Sequence, residues 1–341
     1  MSTPDATTQS RTVRAVAALK PGDVDAPSSF ADVEVELGPT GEHDLLVEVR
    51  AVSVNPVDLK TRVAFDTATA PKILGYDAAG VVVETGSAVT AFAVGDEVYY
   101  AGTLARPGTN AERHLVDERI VGHKPSSLSF TEAAAVPLTT ITAWETLFDR
   151  MQLTSESSGT LLVVGGAGGV GSMVTQLARQ LTQVTIIATA SRDESREWAL
   201  AMGAHHVVNH HNLREEVMAV APAGVDHIFS PFSAGNEQVY ADLMPVHGQV
   251  VAIDGPKGFD VGPLKAKAQT WHWESMFARP LFDPTSTAQR ELLDAAAQMF
   301  DAGTLRTTLT RTLHGVTAET LREAHRQLEG STMVGKLVLE G

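Results

Sequence analysis

The sequence predicts an α/β protein in which a doubly wound parallel sheet is joined to a second, mostly antiparallel β region. Three observations carry that expectation. Leu161-Leu-Val-Val-Gly-Gly-Ala-Gly-Gly-Val-Gly-Ser172 runs four apolar residues into a glycine-rich turn, and Met173–Leu181 then reads as a helix. From Thr131 to Ile253 strand and helix patterns alternate, which is the rhythm of a parallel sheet. Before that, residues 32–136 show short β-runs separated by turn signals.

Within the turn, Gly166, Gly168 and Gly171 give the spacing G-x-G-x-x-G, with Gly169 and Val170 between them. The first glycine permits the tight turn, the second lets a pyrophosphate approach bare backbone, and the third lets helix and strand pack closely. The anion then rests on the helix N-terminus. The second strand of the unit, Val184–Ala190, ends in Thr189-Ala-Ser-Arg192 instead of the acid that would bind both ribose hydroxyls of NAD. Ser191 and Arg192 suit a ribose phosphate, so NADPH is the expected cofactor. The alternative leaves Arg192 in water and makes Asp193 the ribose ligand.

The remaining elements follow in order. Val33–Leu37, Leu45–Val54, Gly80–Glu84, Glu97–Tyr100 and His114–Val116 read as strands, preceded by a loose tail over residues 1–15 that leads into a strand. Thr131–Ala135 and Ile141–Arg150 read as helical. Beyond the glycine turn come helix Glu194–Met202, strand His206–Val208, helix Leu213–Val220, and strands Val225–Phe229 and Gln249–Ile253. Arg290–Ala302 reads as a helix and Leu337–Leu339 as a closing strand.

Composition excludes several classes of function. The 341 residues are 43% hydrophobic and 20% charged, as in an ordinary two-domain globular protein. A net charge of −15 opposes nucleic-acid binding. No apolar run reaches membrane-spanning length, and Met1–Arg14 lacks the apolar core of a signal peptide, so a cytoplasmic location is expected. Cysteine is absent, which removes disulfides, thiolate nucleophiles and cysteine-ligated metal.

Several motifs, taken in order, resemble the medium-chain dehydrogenase/reductase superfamily over nearly the whole chain. They are Ser53-Val-Asn55-Pro-Val-Asp58-Leu-Lys60, Gly75-Tyr-Asp-Ala-Ala-Gly80, Val94-Gly-Asp-Glu-Val98, the Gly166–Gly171 turn, and Gly335-Lys-Leu-Val-Leu339. Asn55-Pro-Val-Asp58 and the glycine turn are similar to its quinone oxidoreductase branch. Trp271-His-Trp-Glu274-Ser-Met-Phe277 resembles the zinc-type alcohol dehydrogenase-like quinone reductases. The resemblance implies a GroES-like β-barrel over residues 1–136, a Rossmann domain over 137–286, completion of the barrel by 287–341, and an active site in the cleft between them. It further implies a homodimer paired through sheet edges near Lys265–Phe277.

The zinc-binding relatives use a cysteine, a Gly-His-Glu motif and a further cysteine or acid. Here the matching stretches read Ser53-Val-Asn55 and Gly75-Tyr76-Asp77, so no metal site is expected. His205-His206 and His210-His211 are adjacent pairs, which spacing alone does not make chelating. Without a metal, the charge that a hydride delivers to a carbonyl oxygen needs hydrogen-bond donors. Asn55 and Tyr76 are the candidate catalytic residues by position in the resemblance. Asn55 could instead only shape a turn before Pro56, and Tyr76 could be a buried phenol bonded to backbone. Asp58 and Lys60 are candidates for an ion pair at the cleft rim.

The resemblance carries further cofactor contacts onto Thr140, at the opening of a crossing helix or as its N-cap; His210, beside the adenosine phosphate; Asp254, at a strand end; and Lys336, as a phosphate ligand or a solvated lysine. Trp271, Trp273 and Phe277 could line an apolar pocket for a flat substrate, or pack in the core or at a subunit interface. The expected function is NADPH-dependent reduction of quinones or α,β-unsaturated carbonyls. A non-catalytic NADPH-binding sensor or structural protein is the alternative, and a zinc alcohol dehydrogenase a remote one.

Overall fold

Strands of alternating character dominate the first third of the chain. The computed structural model describes residues 11–330 and 332–341. The expected loose tail over 1–15 is corrected at its end, because Arg11–Ala18 is a strand paired antiparallel with Ala31–Leu37. Its remainder lies outside the described residues. Val13, Ala15 and Ala17 turn inward from that strand, and the run Ala15–Ala18 is buried on both faces.

Asp44–Ser53 is the axis of the seven-stranded sheet. The sheet order is Leu309–His314, Lys336–Glu340, Asp44–Ser53, Asp77–Thr85, Glu97–Ala101 and Val121–His123, with Arg113–Asp117 also paired to Asp44–Ser53. The last strand of the chain is therefore internal to a sheet begun near its start, with Val338 opposite Ser53.

The second sheet has six parallel strands in the order His206–Val208, Thr185–Thr189, Thr160–Val163, His227–Ser230, Gln249–Ala252 and Thr270–Trp273. Leu161–Val163 and Ile186–Ala188 are fully buried, as expected for strands covered by helices on both faces. The order reverses between Thr160–Val163 and His227–Ser230, the switch point at which open α/β sheets bind ligands.

One of the buried apolar clusters spans both sheets. Pro137–Trp144 is an α-helix that continues as a π-helical turn over Glu145–Arg150, so the expected helix Ile141–Arg150 begins earlier and changes pitch midway. Ile141 and Leu147 pack in one cluster with Tyr99 and Ala101 of the antiparallel sheet and Val163 and Ile186 of the parallel one. Four α-helices among the described residues lay outside the expected elements: Pro56–Val63, short and polar; Glu237–Leu243; Ala278–Phe282; and Ala318–Glu329, which buries Leu321, Ala324 and His325.

His325 is buried beside Phe30, ring centroids 4.7 Å apart, and neither ring nitrogen has a hydrogen-bond partner among the described residues. Burial, with the nearby Arg62 charge, pushes its pKa down to about 3. The unfolded chain takes up this proton near the ordinary value of about 6.5, so stability is complete above that pH and falls as pH drops toward the folded value. Between pH 7 and pH 5 the loss attributable to His325 is about 2 kcal/mol. His325→Leu should remove that part of the acid limb in urea denaturation; an equal loss in variant and parent would contradict the assignment.

Candidate active site

The glycine turn is a cradle of backbone. Gly165, at a φ of +71°, donates its N–H to Thr189 Oγ1 at 2.9 Å, and Gly166 donates to the Thr189 carbonyl at 3.1 Å. A Cβ on Gly171 would lie 2.3 Å from the Gly165 carbonyl oxygen, so the close approach requires glycine there. Gly168 is the N-cap of the helix Gly169–Leu181, whose 13 residues aim their first-turn N–H groups at the turn. Gly169, Val170 and Gly171 are that first turn, and its unpaired amides and dipole suit an anion.

Facing the turn is a buried charged floor. Asn55 precedes the helix Pro56–Val63 in extended conformation and is 1% exposed. Asn55 Nδ2 donates to Asp77 Oδ2 at 2.7 Å, and Asn55 Oδ1 accepts from Lys336 Nζ at 2.5 Å. Lys336 Nζ also donates to the Val54 carbonyl at 2.7 Å and lies 3.4 Å from Asp77 Oδ2. The other Asp77 oxygen accepts the Leu138 N–H at 2.8 Å, at the start of the crossing helix. Burial raises the Asp77 carboxyl and lowers the Lys336 ammonium, while each charge favours the ionised form of the other.

Lys336 is thereby corrected. It is buried, not solvated, and its ammonium is directed at Val54, Asn55 and Asp77. Its stem runs under the glycine turn, where a Cβ on Gly169 would meet Lys336 Cδ at 2.7 Å. The expected Asp58–Lys60 ion pair is likewise absent among the described residues. Asp58 is buried and accepts the N–H groups of Asn55 and Gly75 at 2.8 and 2.9 Å, while Lys60 is exposed. Burial pushes the Asp58 carboxyl up to about 7 despite those bonds.

Tyr76 is 2% exposed, with its hydroxyl 3.5 Å from Thr61 Oγ1 and its ring edge-on to Phe277 at 5.1 Å. Burial pushes the phenol up to about 12, so it stays protonated at neutral pH and can only donate or accept a hydrogen bond. Thr140 is not an N-cap; that position is Val136, with Pro137 next, and Thr140 lies in the following turn with its N–H bonded to the Val136 carbonyl at 2.8 Å. Its buried hydroxyl has no partner among the described residues, an open position for a bound group's polar atom.

The adenosine side is more exposed. Ser191 is exposed, and Arg192 donates to the Thr332 carbonyl at 2.7 Å, one bond from a guanidinium with five donors. His210 is exposed in a short 3₁₀ turn against His211, ring centroids 4.2 Å apart. Asp254 braces a loop, its carboxylate taking the Ser233 N–H and hydroxyl at 2.7 and 2.6 Å.

The aromatic segment divides. Phe277 reaches Tyr76, whereas Trp271 and Trp273 pack on Phe259 at 4.4 and 5.4 Å along the sheet edge. Between them lies a polar knot that the sequence did not reveal. Glu145 and Glu274 are both buried, and Arg279 Nε lies 2.9 Å from Glu145 and Arg150 Nε 3.4 Å from Glu274. Burial and the Glu145 carboxyl raise Glu274, so it holds a proton at neutral pH. A glutamate one residue beyond an edge strand carries no sequence mark of a buried partner.

These donors do not fit zinc. Tyr76 keeps its proton, Asp77 is saturated by three donors, and the Lys336 ammonium already supplies the cation next to that carboxylate. Among the described residues no three or more His, Cys, Asp or Glu side chains cluster as metal ligands.

Known proteins match this arrangement. Residues 41–146 match the alcohol dehydrogenase GroES-like domain, and residues 202–339 match the zinc-binding dehydrogenase family. A zinc-type alcohol dehydrogenase-like protein of Staphylococcus aureus is 39% identical over 312 residues, covering 88% of this chain and 92% of that one. The chain belongs to the medium-chain dehydrogenase/reductase superfamily. Within this oxidoreductase family, a Rhizobium etli crystal structure named as a zinc-dependent alcohol dehydrogenase is 46% identical, with a TM-score of 0.93 over 97% of this chain and 98% of that one. The 2-methylene-furan-3-one reductase of Solanum lycopersicum is 35% identical over 261 residues, covering 71% of this chain and 65% of that one. The fold is that of the family, a GroES-like sheet with a Rossmann sheet.

The Lys336–Asp77 pair gives a stability test. Removing one partner of a buried ion pair costs about 3–5 kcal/mol, because the other charge is left uncompensated. Lys336→Met should destabilise the fold by that amount in urea denaturation. The double variant Lys336→Met, Asp77→Asn should recover much of it. If the two losses simply added, the charges would not be coupled.

Proposed function

We propose that this protein is a cytoplasmic NADPH-dependent oxidoreductase that reduces quinones or α,β-unsaturated carbonyls by hydride transfer without a metal. The observation that carries the proposal is the juxtaposition of the glycine cradle with a floor of Asn55, Asp77 and Lys336, in which Lys336 threads from one to the other. The Solanum lycopersicum relative is a reductase named for an enone, which supports the substrate class. NADPH, when bound, supplies the hydride.

The chain's own residues bind, orient and stabilise. The amides of Gly169, Val170 and Gly171 take the pyrophosphate, with Gly166 and Gly168 keeping the turn free of side chains. Ser191 and Arg192 take the ribose phosphate, His210 lies beside the adenosine, and the Thr140 hydroxyl meets a polar atom deeper in the cleft. Asn55 and Tyr76 face the substrate oxygen as charge develops on it. One Asn55 amide hydrogen is held by Asp77, and the other is engaged only by a 3.5 Å contact with the Ser53 carbonyl, which leaves it able to donate elsewhere. Tyr76 is held as weakly, by Thr61. The Lys336 ammonium polarises the Asn55 amide from behind, at the Oδ1 end.

Oxidation of NADPH by a panel of quinones, enals and enones tests the reaction directly. Faster turnover on simple alcohols than on any of these acceptors would overturn it. Charge-assisted phosphate bonds are worth about 1.5–3 kcal/mol, so NADPH should bind about ten- to a hundredfold more tightly than NADH, and Arg192→Ala should remove most of that preference. Losing one donor to a developing oxyanion costs about 10²–10³ in turnover, which Asn55→Ala should show with little change in NADPH affinity.

We also propose a homodimer. The strand Thr270–Trp273 is the sheet's edge, paired only to Gln249–Ala252 among the described residues, and Trp273 on it is 50% exposed. A second copy would cover both the open edge and the indole. Light scattering should give twice the chain mass of 36.2 kDa at micromolar concentration, and Trp273→Lys should shift it toward one chain. A parent protein at the single-chain mass would refute the dimer.

A further inference from the structure

An exposed aromatic ring stands at the switch-point crevice. Phe232 follows the strand His227–Ser230, on the opposite side of the crevice from the glycine turn, and is 64% exposed. Its Cε2 would lie 3.4 Å from a Cβ on Gly165, so the ring rests against the first residue of the turn.

The backbone beneath the ring is tied from several directions. Phe232 donates its N–H to Ser230 Oγ at 3.1 Å, and its carbonyl accepts from Tyr240 Oη at 3.1 Å and Asn236 Nδ2 at 2.9 Å. Ser230 Oγ and Tyr240 Oη are themselves 2.9 Å apart. The next residue, Ser233, is the one clamped by Asp254 through both its N–H and its hydroxyl. Ser230, Ser233 and Tyr240 are all buried. A loop fixed this firmly has little freedom to fold its aromatic ring into the core, so the ring stays in water at the mouth of the crevice.

An exposed phenyl ring on a preorganised loop costs little ordering entropy when a ligand covers it and gains apolar burial when one does. We propose that Phe232 is a cofactor-binding residue, its ring covering the dinucleotide where that ligand leaves the glycine turn, with the Asp254–Ser233 clamp as its positioning device. The proposal rests on the dinucleotide reading above and adds a residue to it. It also gives Asp254 a part in cofactor binding, through the loop.

Titration calorimetry with two probes tests it on the whole chain. NADPH spans the crevice, whereas adenosine 2′,5′-bisphosphate reaches only the adenosine end. Phe232→Ala should weaken NADPH about tenfold and leave the bisphosphate unchanged, as loss of one aromatic contact does. Phe232→Tyr should restore NADPH binding to near the parent value. Asp254→Ala should weaken NADPH without touching the bisphosphate, because the loop loosens while the adenosine site stays. Unchanged NADPH affinity in Phe232→Ala would overturn the proposal, as would equal weakening of both probes. A parent protein that binds the bisphosphate and NADPH equally well would overturn it too, by placing no affinity in the crevice. A parent that binds neither would instead overturn the dinucleotide reading on which it rests.

Discussion

The buried Lys336 ammonium is the interaction on which the architecture of the cleft depends. An ammonium cannot be taken out of water unless its donors find partners, and here they come from three separated stretches: the Val54 carbonyl, the Asn55 amide and the Asp77 carboxylate. Delivering the lysine requires the final strand to enter the antiparallel sheet beside Asp44–Ser53. It also requires the preceding residue to pass the glycine turn. Gly335 does so at a φ of +65°, donating its N–H to the Ala167 carbonyl at 2.8 Å. A Cβ at Gly335 would lie 2.4 Å from the Thr308 carbonyl oxygen, so glycine is required on steric grounds as well. The end of the chain thus ties the two sheets together at the place where a ligand would lie.

The crossing helix supplies the second tie. Its first turn gives the Leu138 N–H to Asp77, and the next holds the buried Thr140 hydroxyl, without a partner among the described residues. Its far end winds into a π turn, where Glu145 meets Arg279 and Gln289. A wider turn moves side chains off the ordinary helical stripe, which places Glu145 beside Glu274 in a dry region. Two acids sharing such a site retain a proton, and the surrounding arginines balance the remaining charge. The two ends of one helix are thereby tied to opposite parts of the fold, through Asp77 and through Arg279.

Charge in this cleft is arranged without a metal-binding donor set. The phenol of Tyr76 and the amide of Asn55 are neutral donors, and the Lys336 ammonium is bonded to the Asn55 amide oxygen. Neutral donors backed by a fixed charge suit a transition state in which an oxygen gains electron density, because nothing need reorganise as the charge appears. The loop that carries Phe232 shows the same preorganisation on the other wall of the crevice.

Much of this was written in the order of residues. The glycine turn, the strand that leads into it and the alternation after it are local patterns, and burial of a parallel strand on both faces forces an apolar run that can be read directly. The short helix Pro56–Val63 escaped because its pattern is polar and it depends on Asp58 accepting two N–H groups, one from Gly75, which no local periodicity records. Lys336, Asp254 and Thr140 were legible as positions but not in their protein partners. A lysine after a glycine looks like a surface residue until the sheet brings Asp77 to it. An aspartate at a strand end gives no sign in the sequence that Ser233 folds back onto it. Residue type and spacing determined the fold class and the glycine turn, since those rest on contacts among near neighbours. Only the tertiary structure decided which charges are buried and with whom, because desolvation and pairing depend on segments far apart in the chain.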